Sequence, residues 1–407
     1  METLKEKLWA LGPRPSLMLS SLFATLGIQQ PRTIVRADRL PRPYAVTSKI
    51  AIPKIVSPPG NDFLKAPPGF KVRPFARLEK NPRWLATAPN GDVFVTLSYA
   101  GQVMVLRDTK GTGVADGKFV FADGLKLPHG MAFQDGWLYV ATTDSVVRYR
   151  YEPGQTKASG APEMVVKDIP ALGRRQHWTR NILFEPDGQH FFLTVGSAAN
   201  KAVETAPRAT ISRYRVDGTG RETFADGIRN PVGIDYRPGT TELWTTCVER
   251  DYMGDEVVPE FLASVKKGDF FGYPWVYAGN IRDPKAPKGA PKKKAKMPEV
   301  LFTAHSVPLG LVFYTGKSFP AAYQGDAFVA MRGSTNRRIS SGFKVVRVTF
   351  ENGKPTPGYE DFVTGWLADP VQHLAYGRPV GLTQSADGSL LIADEAGHTV
   401  WRVSYEK

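Results

Sequence analysis

The chain has 407 residues, of which 42% are hydrophobic and 23% charged, and its 53 Lys and Arg against 39 Asp and Glu give a formal net charge of +14. This composition is typical of a globular protein rather than a disordered one, and the length allows one large domain or two to three smaller ones. A single cysteine, Cys247, excludes an internal disulfide framework and any cysteine-rich zinc or iron–sulfur site.

Residues 1–64 are predicted to precede the fold. An apolar run at 15–29, PSLMLSSLFATLGIQ, follows Lys5 and Lys7 in the order typical of an export signal. This run is too short and too polar for a transmembrane span. Residues 30–64 are rich in Pro, Arg and Lys and indicate an extended leader. We therefore predict an export signal or flexible segment over 1–64 and a soluble body over 65–407.

One sequence pattern recurs six times in the body of the chain. Each copy has two short β-runs divided by a turn with Gly, and most copies continue into a third run. The copies begin at Pro82, Pro128, Thr179, Pro231, Pro308 and Pro379, so that successive starts are 46, 51, 52, 77 and 71 residues apart. Strand-only units of about 40–50 residues are typical of propeller blades. The sequence therefore predicts an all-β fold, a six-bladed β-propeller, over 65–407.

Two segments outside the repeats also have a predicted place. Residues 69–78, GFKVRPFARL, are expected to supply a strand that closes the last blade, since an open circle would leave an unpaired edge. The long offset after the fourth start indicates an insertion, the Lys- and Pro-rich stretch at 282–298. Its composition predicts a solvated, flexible loop. We predict no nucleic-acid partner, because no aromatic residues are interleaved with these basic ones.

The register of the repeats predicts a site at one end of the central channel. Inner strands of a propeller begin at one rim, so the residues just before each repeat should face one another. These residues are Lys80 and Asn81, Lys126 and Leu127, His177 and Trp178, Arg229 and Asn230, Ser306 and Val307, and Gly377 and Arg378. Cations crowded at one opening repel one another unless an anion binds there. The ring therefore predicts a planar or multi-carboxylate anion held by arginine side chains.

Histidine is the candidate base of this ring. His177 and His305 lie near repeat starts, whereas His190 and His398 fall in turns and are predicted to be surface residues. His129 follows a repeat proline, which suits either a rim or a packing role. Neutral imidazole can accept a proton near neutral pH, so His177 is the best candidate for a general base.

Six segments of the chain carry a resemblance to a known family. They are HWTRNILFEPDG from His177, FADGIRNPVGID from Phe224, ERDYMGDEVVPEFL from Glu249, KKGDFFGYPW from Lys266, HSVPLGLVFYTG from His305 and GRPVGL from Gly377. From about Pro67 to its end the chain resembles the glucose/sorbosone dehydrogenase family, and most closely its sorbosone-type members. The family includes soluble dehydrogenases that depend on pyrroloquinoline quinone (PQQ). Its fold is a six-bladed propeller, in agreement with the repeat count.

The resemblance implies roles for the predicted ring. His177 matches the family's catalytic base, which abstracts a proton from a sugar hydroxyl or an aldehyde hydrate while a hydride passes to C5 of PQQ. Arg229 and Asn230 match the pair that contacts the quinone oxygens and stabilises developing negative charge. Arg332 and Arg378 are the expected partners of the PQQ carboxylates.

The resemblance also implies a calcium ion that polarises the cofactor. Backbone carbonyls hold this ion in a loop that is here Glu249, Arg250 and Asp251, and hard oxygen ligands suit calcium. Glu249 is expected at the cofactor, and Arg250, Asp251 and the supporting carboxylate of Asp255 at the metal. Two positions depart from the glucose dehydrogenase branch. Ser197 replaces the acidic residue that orients the base, and Glu249 replaces an amide. Both departures indicate a shifted substrate.

The predicted function is a PQQ- and calcium-dependent dehydrogenase that oxidises an aldose or a sorbosone-like sugar aldehyde. Electrons are expected to pass to a cytochrome or a quinone rather than to NAD, because no GxGxxG motif follows a predicted strand. PQQ enzymes usually work outside the cytoplasmic membrane, which implies a periplasmic or secreted location. Two alternatives stay open: a metal-dependent sugar lactonase, and a non-enzymatic propeller that binds a partner on its rim. The oligomeric state is not predicted.

Overall fold

The computed structural model of the chain describes residues 31–60, 62–171 and 177–406, so the predicted apolar run at 15–29 lies outside the described residues. Within these ranges the fold is all-β, as predicted. The helical segments found there are three single 3-10 turns, at Ala37–Arg39, Ser98–Ala100 and Ala321–Tyr323. None of the described helices is long and apolar enough to cross a membrane.

Six antiparallel sheets of four or more strands follow one another along the described chain, and each contains one repeat. We number them 1 to 6 by repeat. Sheet 1 consists of Trp84–Thr87, Val93–Leu97, Gln102–Arg107 and Gly117–Ala122, and sheet 2 of Met131–Gln134, Trp137–Ala141, Val146–Arg150 and Glu163–Val166. Sheet 3 consists of Arg180–Phe184, His190–Val195, Thr210–Arg215 and Glu222–Asp226, and sheet 4 of Pro231–Tyr236, Leu243–Cys247, Glu260–Val265 and Val300–Phe302. Sheet 5 consists of Pro308–Phe313, Ala327–Met331, Lys344–Val348 and Tyr359–Val363, and sheet 6 of Pro379–Gln384, Leu390–Asp394, Thr399–Tyr405 and Phe70–Arg77.

The part of the chain before the repeats joins two of these sheets. Phe70–Arg77 pairs antiparallel with Thr399–Tyr405, which confirms the predicted closing strand of sheet 6. Arg32–Thr33 pairs with Tyr359–Val363 as a fifth strand of sheet 5. The described part of the predicted leader therefore lies against the body, and the domain boundary at residue 64 stays a prediction.

Short strand pairs outside the six sheets are also found in the described chain. They are Lys54–Ile55 with Leu374–Ala375, Leu367–Asp369 with Leu374–Ala375, Val276–Tyr277 with Ile281–Arg282, and Phe350–Glu351 with Lys354–Pro355. The third pair lies between the third and fourth strands of sheet 4, and the last pair lies between those of sheet 5.

The first strands of the sheets contact one another in a closed cycle, from sheet 1 to sheet 6 and back to sheet 1. Glycine in the repeat start permits this approach. A Cβ atom on Gly233 would lie 2.4 Å from the carbonyl oxygen of Leu309, and one on Gly310 would lie 2.4 Å from that of Val380. No side chain fits at such distances, so glycine is required where one first strand meets the next. Apolar side chains from these strands fill the space between them: Trp84, Val232, Leu309 and Val380.

The Lys- and Pro-rich stretch is exposed in its middle and anchored at both ends. Residues 288–294 are exposed, as predicted. Asp283 is buried at one end, 3.0 Å from Lys201 Nζ. At the other end Lys296 Nζ donates to Ser264 Oγ at 2.8 Å. The stretch is therefore a surface loop held in place by its two ends.

Candidate functional site

His177 immediately precedes the first strand of sheet 3. Its Nδ1 lies 3.1 Å from both the backbone oxygen and Oγ of Ser197, which follows the second strand of the same sheet. A carbonyl oxygen only accepts hydrogen bonds, so this contact places the proton on Nδ1 and leaves the Nε2 lone pair free. Burial, followed by the charge of Arg229, lowers the pKa of His177 to about 3. The imidazole is therefore neutral at ordinary pH, with its lone pair on Nε2.

Gly196 brings His177 and Asn230 side by side. A Cβ atom on this glycine would lie 2.6 Å from Cβ of His177 and 2.3 Å from Oδ1 of Asn230. Asn230 is buried, and its Oδ1 accepts no hydrogen bond from the described residues. A buried polar atom without a partner costs about 1–3 kcal/mol. This carboxamide is therefore suited to a polar ligand beside the base.

Arg229 is buried and bonded within the protein. Its Nε and Nη2 donate to the backbone oxygen and Oδ1 of Asn200, at 3.2 and 2.9 Å. Its Nη1 donates to the backbone oxygens of Glu249 at 2.6 Å and Val248 at 3.3 Å, and Nη2 lies 3.4 Å from Asp251 Oδ2. Arg229 thus ties the loop after the second strand of sheet 3 to that of sheet 4. Its contact with a quinone oxygen stays a prediction.

Asp251 is the charged centre of the sheet 4 loop. Its Oδ1 accepts a hydrogen bond from Asn336 Nδ2 and lies 3.5 Å from His305 Nδ1. Burial opposes ionisation, but the hydrogen bond with His305 and the charge of Arg229 lower the pKa of Asp251 to about 2. His305 Nε2 lies 2.8 Å from the backbone oxygen of Gly254, which fixes a proton there. Asp251 is therefore a full negative charge at neutral pH.

The other residues predicted at the calcium ion have their side chains paired elsewhere. Arg250 is buried and donates from Nε to Glu249 Oε2 at 3.0 Å. Asp255 Oδ2 accepts from Arg338 Nε at 2.7 Å, whereas its buried Oδ1 has no partner among the described residues. The exposed fraction of the side chain is 36% for Asp251, 14% for Asp255 and 2% for Glu249. Among these carboxylates, Asp251 is the one most open to a ligand.

Arg332 and a third arginine, Arg83, share one buried carboxylate, and Arg378 lies beside them. Glu395 Oε2 accepts from Arg83 Nη1 at 2.8 Å and from Arg332 Nε at 2.6 Å. Arg378 Nε donates to the backbone oxygen of Arg332 at 3.1 Å. Burial, followed by the charge of Arg332, lowers the pKa of Arg378. Three cations around one carboxylate leave two positive charges in excess, which suits a bound anion.

Arg83 is not among the site residues predicted from the sequence. Its side chain lies over the ring of Trp178, with 4.9 Å between the guanidinium carbon and the ring centroid. A signal was present in the residue that follows each repeat start. It is polar in the first three repeats and apolar in the last three: Arg83, His129 and Arg180, then Val232, Leu309 and Val380. Comparing the repeats at this position would have identified Arg83.

Contacts and short chain segments connect these side chains into one closed path. In order the path passes through His177, Asn230, Arg229, Asp251, Asn336, Arg332, Glu395, Arg83 and Trp178, the chain neighbour of His177. The structure thus brings His177, Arg229, Asn230, Asp251, Arg332 and Arg378 into one connected group, which we call the mouth. Two cations predicted for this ring are not part of the path. Lys80 donates to Gln102, and Lys126 forms an ion pair with Asp144.

One group of three metal-ligating side chains is found in the part of the chain that the structure describes. It consists of Glu185, Asp187 and His190, at the hairpin between the first two strands of sheet 3. Glu185 there is already paired with Arg213 at 2.6 Å. The described carboxylates of the mouth form no such group of His, Cys, Asp and Glu side chains.

Known proteins share this fold. The TrAA12-like family model matches residues 64–259 and 263–406. A PQQ-dependent pyranose dehydrogenase of Coprinopsis cinerea is 24% identical over 390 residues, which cover 79% of this chain and 52% of that protein. The calcium structure of a Trichoderma reesei carbohydrate-active enzyme of family AA12 aligns with a TM-score of 0.75 and 20% identity over 87% of this chain and 98% of that one. The holo PQQ domain of the Coprinopsis cinerea pyranose dehydrogenase aligns with a TM-score of 0.72 and 20% identity over 87% and 100%.

Proposed function

Because the chain belongs to the TrAA12-like family, we propose that it is a PQQ-dependent dehydrogenase that oxidises a sugar. The observation that carries this proposal is the mouth, where a neutral histidine with a free Nε2 shares one closed path with three arginines around one carboxylate. Oxidation of a sugar hydroxyl needs a base for the proton. PQQ, the quinone that accepts the electrons, is an anion, and the arginines would bind its negative charge.

We also propose that the six sheets are the blades of a six-bladed β-propeller. The closed cycle of contacts between their first strands supports this architecture, since a propeller has no free sheet edge at its centre. The site residues lie either just before the first strands of these sheets or in the segments after their second strands, which explains how distant segments of the chain meet.

The residues of the mouth fit PQQ, a planar molecule with three carboxylates. When bound, PQQ supplies the two-electron acceptor of the reaction. Arg83, Arg332 and Arg378 would hold its carboxylates through charge and paired N–H groups. The unpartnered Oδ1 of Asn230 is an acceptor, so it would take a hydrogen bond from an N–H or O–H group of the bound ligand beside His177.

The protein's own part in the reaction centres on His177. Its Nε2 would take the proton of the substrate hydroxyl, and Ser197 keeps the ring oriented by accepting the hydrogen bond from Nδ1. Serine supplies no negative charge to the imidazolium that then forms. Asp251 supplies it instead, because its charge favours protonation of His177. The site thus replaces a directly bonded carboxylate by one in the neighbouring loop.

The substrate and the setting of the enzyme are proposals from the sequence resemblance. We propose an aldose or a sorbosone-like sugar aldehyde as the substrate, and a cytochrome or a quinone as the electron acceptor. A periplasmic or secreted location follows from the same resemblance, together with the apolar run at 15–29.

Titration of the metal-stripped protein with PQQ, with and without calcium, tests the function. We expect saturable PQQ binding and reduction of a dye in the presence of aldoses, sorbosone or simple aldehydes. Failure to bind PQQ would overturn the proposal, and hydrolysis of sugar lactones with a divalent metal would then support the lactonase alternative.

We propose that calcium, if bound, is held mainly by Asp251, because its side chain is the most exposed of the three carboxylates in this loop. Calcium is expected to raise the unfolding temperature of the PQQ-loaded, metal-stripped protein, and Asp251→Asn to reduce that rise by more than half. The comparison uses magnesium as a second ion and Asp361→Asn, at an exposed partner of Lys344, as a control variant. The same calcium response in Asp251→Asn and the native protein would contradict this assignment.

A further inference from the structure

A second cavity lies between sheets 3 and 4, outside the mouth. Its walls come from the segment before the third strand of sheet 3, the end of Glu222–Asp226, the turn after Glu260–Val265 and the Lys- and Pro-rich stretch. The charged and aromatic side chains that line it are Glu204, Arg208, Asp226, Phe270, Tyr273, Trp275 and Lys293, and Glu204 Oε1 already accepts from the Ala198 backbone N–H at 2.6 Å. None of them belongs to the closed path around His177.

Three polar atoms in the walls of this cavity have no partner among the described residues. They are Nη1 of Arg208, Oδ1 of Asp226 and Nε1 of Trp275. Two are donors and one is an acceptor, so together they suit a ligand that carries both kinds of group. Native proteins leave few buried polar atoms unpaired, and three in one cavity indicate a binding site.

Arg208 also defines the charge of the ligand. Arg208 is only 8% exposed, and it forms no ion pair with any described carboxylate. A buried cation without a counterion is costly. The charge of a second buried arginine nearby adds to this cost, because Arg208 contributes to the lowered pKa of Arg180, after burial. An anionic group on the ligand would relieve both effects.

The remaining walls distinguish a saccharide from a simple anion. Phe270 and Trp275 present aromatic rings, with 6.3 Å between their centroids, on which the C–H face of a sugar ring can pack. Asp226 keeps Oδ2 paired with Lys293 Nζ at 2.8 Å and leaves Oδ1 for a hydroxyl. Inorganic phosphate at neutral pH offers neither an apolar face nor several hydroxyl donors.

We propose that this cavity binds a carboxylated saccharide, a uronate or aldonate unit, with its carboxylate on Arg208 and its hydroxyls on Asp226 and Trp275. The site is separate from the mouth, so the proposal does not depend on the proposed dehydrogenase activity. It does place an acidic sugar close to the base. Tyr273 lines the cavity, and its hydroxyl donates to the Ala199 backbone oxygen at 3.0 Å. The same oxygen accepts from Oγ of Ser197, the partner of His177, at 2.7 Å.

Calorimetric titration of the full chain with glucuronate, glucose and inorganic phosphate tests the site. Glucuronate is expected to bind more tightly than either glucose or phosphate. Arg208→Met should weaken glucuronate binding by about tenfold or more, and Trp275→Phe, which keeps an aromatic ring but removes the N–H, by a few-fold. The matched control is Arg221→Met, at an exposed arginine, which should bind as the native protein does.

The unfolding temperature separates a binding role from a structural one. Removing an unpaired buried cation should leave the unfolding temperature of Arg208→Met unchanged or higher, and PQQ binding, measured on the same sample, should persist. Glucuronate binding that survives Arg208→Met but disappears in His177→Gln would locate the sugar at the mouth and overturn the proposal. Equal binding of phosphate and glucuronate would show a site for anions in general and would overturn the proposal. Failure of glucuronate to bind would also overturn it.

Discussion

Replacing His177 with Gln is expected to lower kcat/KM by about 10²- to 10⁴-fold, the usual contribution of a positioned general base. Glutamine can still donate a hydrogen bond to the Ser197 backbone oxygen, so the loop after the second strand of sheet 3 should keep its place. PQQ affinity and the unfolding temperature should therefore change little. Steady-state kinetics at saturating PQQ measure the effect, with His190→Gln, at the hairpin of sheet 3, as the control.

The pH dependence of the same rate follows from the partner of His177. Since the pKa of His177 is about 3, the rate should not fall through loss of the base between pH 7 and pH 5. Ser197→Asp would place a carboxylate at Nδ1 and raise this pKa, so the acid limb of kcat/KM should move toward neutral pH. Full activity of His177→Gln, or an acid limb unmoved in Ser197→Asp, would show that another group takes the proton.

The free energy of unfolding should also depend on pH, because the pKa of His177 differs between the folded and the unfolded chain. The folded-state pKa of His177 lies below its ordinary value of 6.5, so the unfolded chain binds more protons between about pH 6.5 and pH 3. This group therefore lowers the free energy of unfolding as the pH falls through that window. Ser197→Asp raises the folded-state pKa of His177 and so shortens the pH range over which this group destabilises the fold. His177→Gln removes this contribution. Denaturant unfolding at pH 7 and pH 5 would show the difference.

Local sequence signals predicted the features that depend on strand starts. The prolines and glycines of the repeats mark where first strands begin and where they lie too close for a side chain, as at Gly233 and Gly310. Residues just before those starts, among them His177, Asn230 and Arg378, accordingly meet at one mouth. The closing strand Phe70–Arg77 was predictable for the related reason that a cycle of sheets needs a partner for its last edge.

Features that depend on long side chains and irregular loops were not predictable in this way. The reach of Arg229 toward Asn200 and Glu249 depends on how two loops fold over it, and no periodic pattern records that. Arg250 follows a buried strand in a loop rich in charges, yet its guanidinium is fully buried. The pairing of Arg32–Thr33 with sheet 5 covers two residues, which is too short to produce an alternating pattern.

Replacing Arg378 with Met is expected to weaken PQQ binding by about 10²-fold or more, because breaking one buried charged pair costs about 2–5 kcal/mol. Arg378 is the cation of the cluster without a direct carboxylate partner. Glu395 is bonded to Arg83 and Arg332, whereas the Arg378 guanidinium donates to the backbone oxygens of Arg332 and Gly333. Its charge is therefore the one in the cluster that no bonded carboxylate offsets.

The same variant should leave the free energy of unfolding of the PQQ-free protein unchanged or higher, since like charges in a buried cluster repel. Fluorescence titration with PQQ and thermal unfolding with and without PQQ measure the two effects on one sample. Lys126→Met, at an exposed lysine paired with Asp144, is the control for removing a cation as such. A joint loss of PQQ affinity and of stability in the PQQ-free protein would instead assign Arg378 to the scaffold. Unchanged affinity would place the cofactor carboxylates elsewhere. A loss of PQQ affinity together with unchanged or greater stability is the result expected of a cation that destabilises the PQQ-free fold and stabilises the bound cofactor.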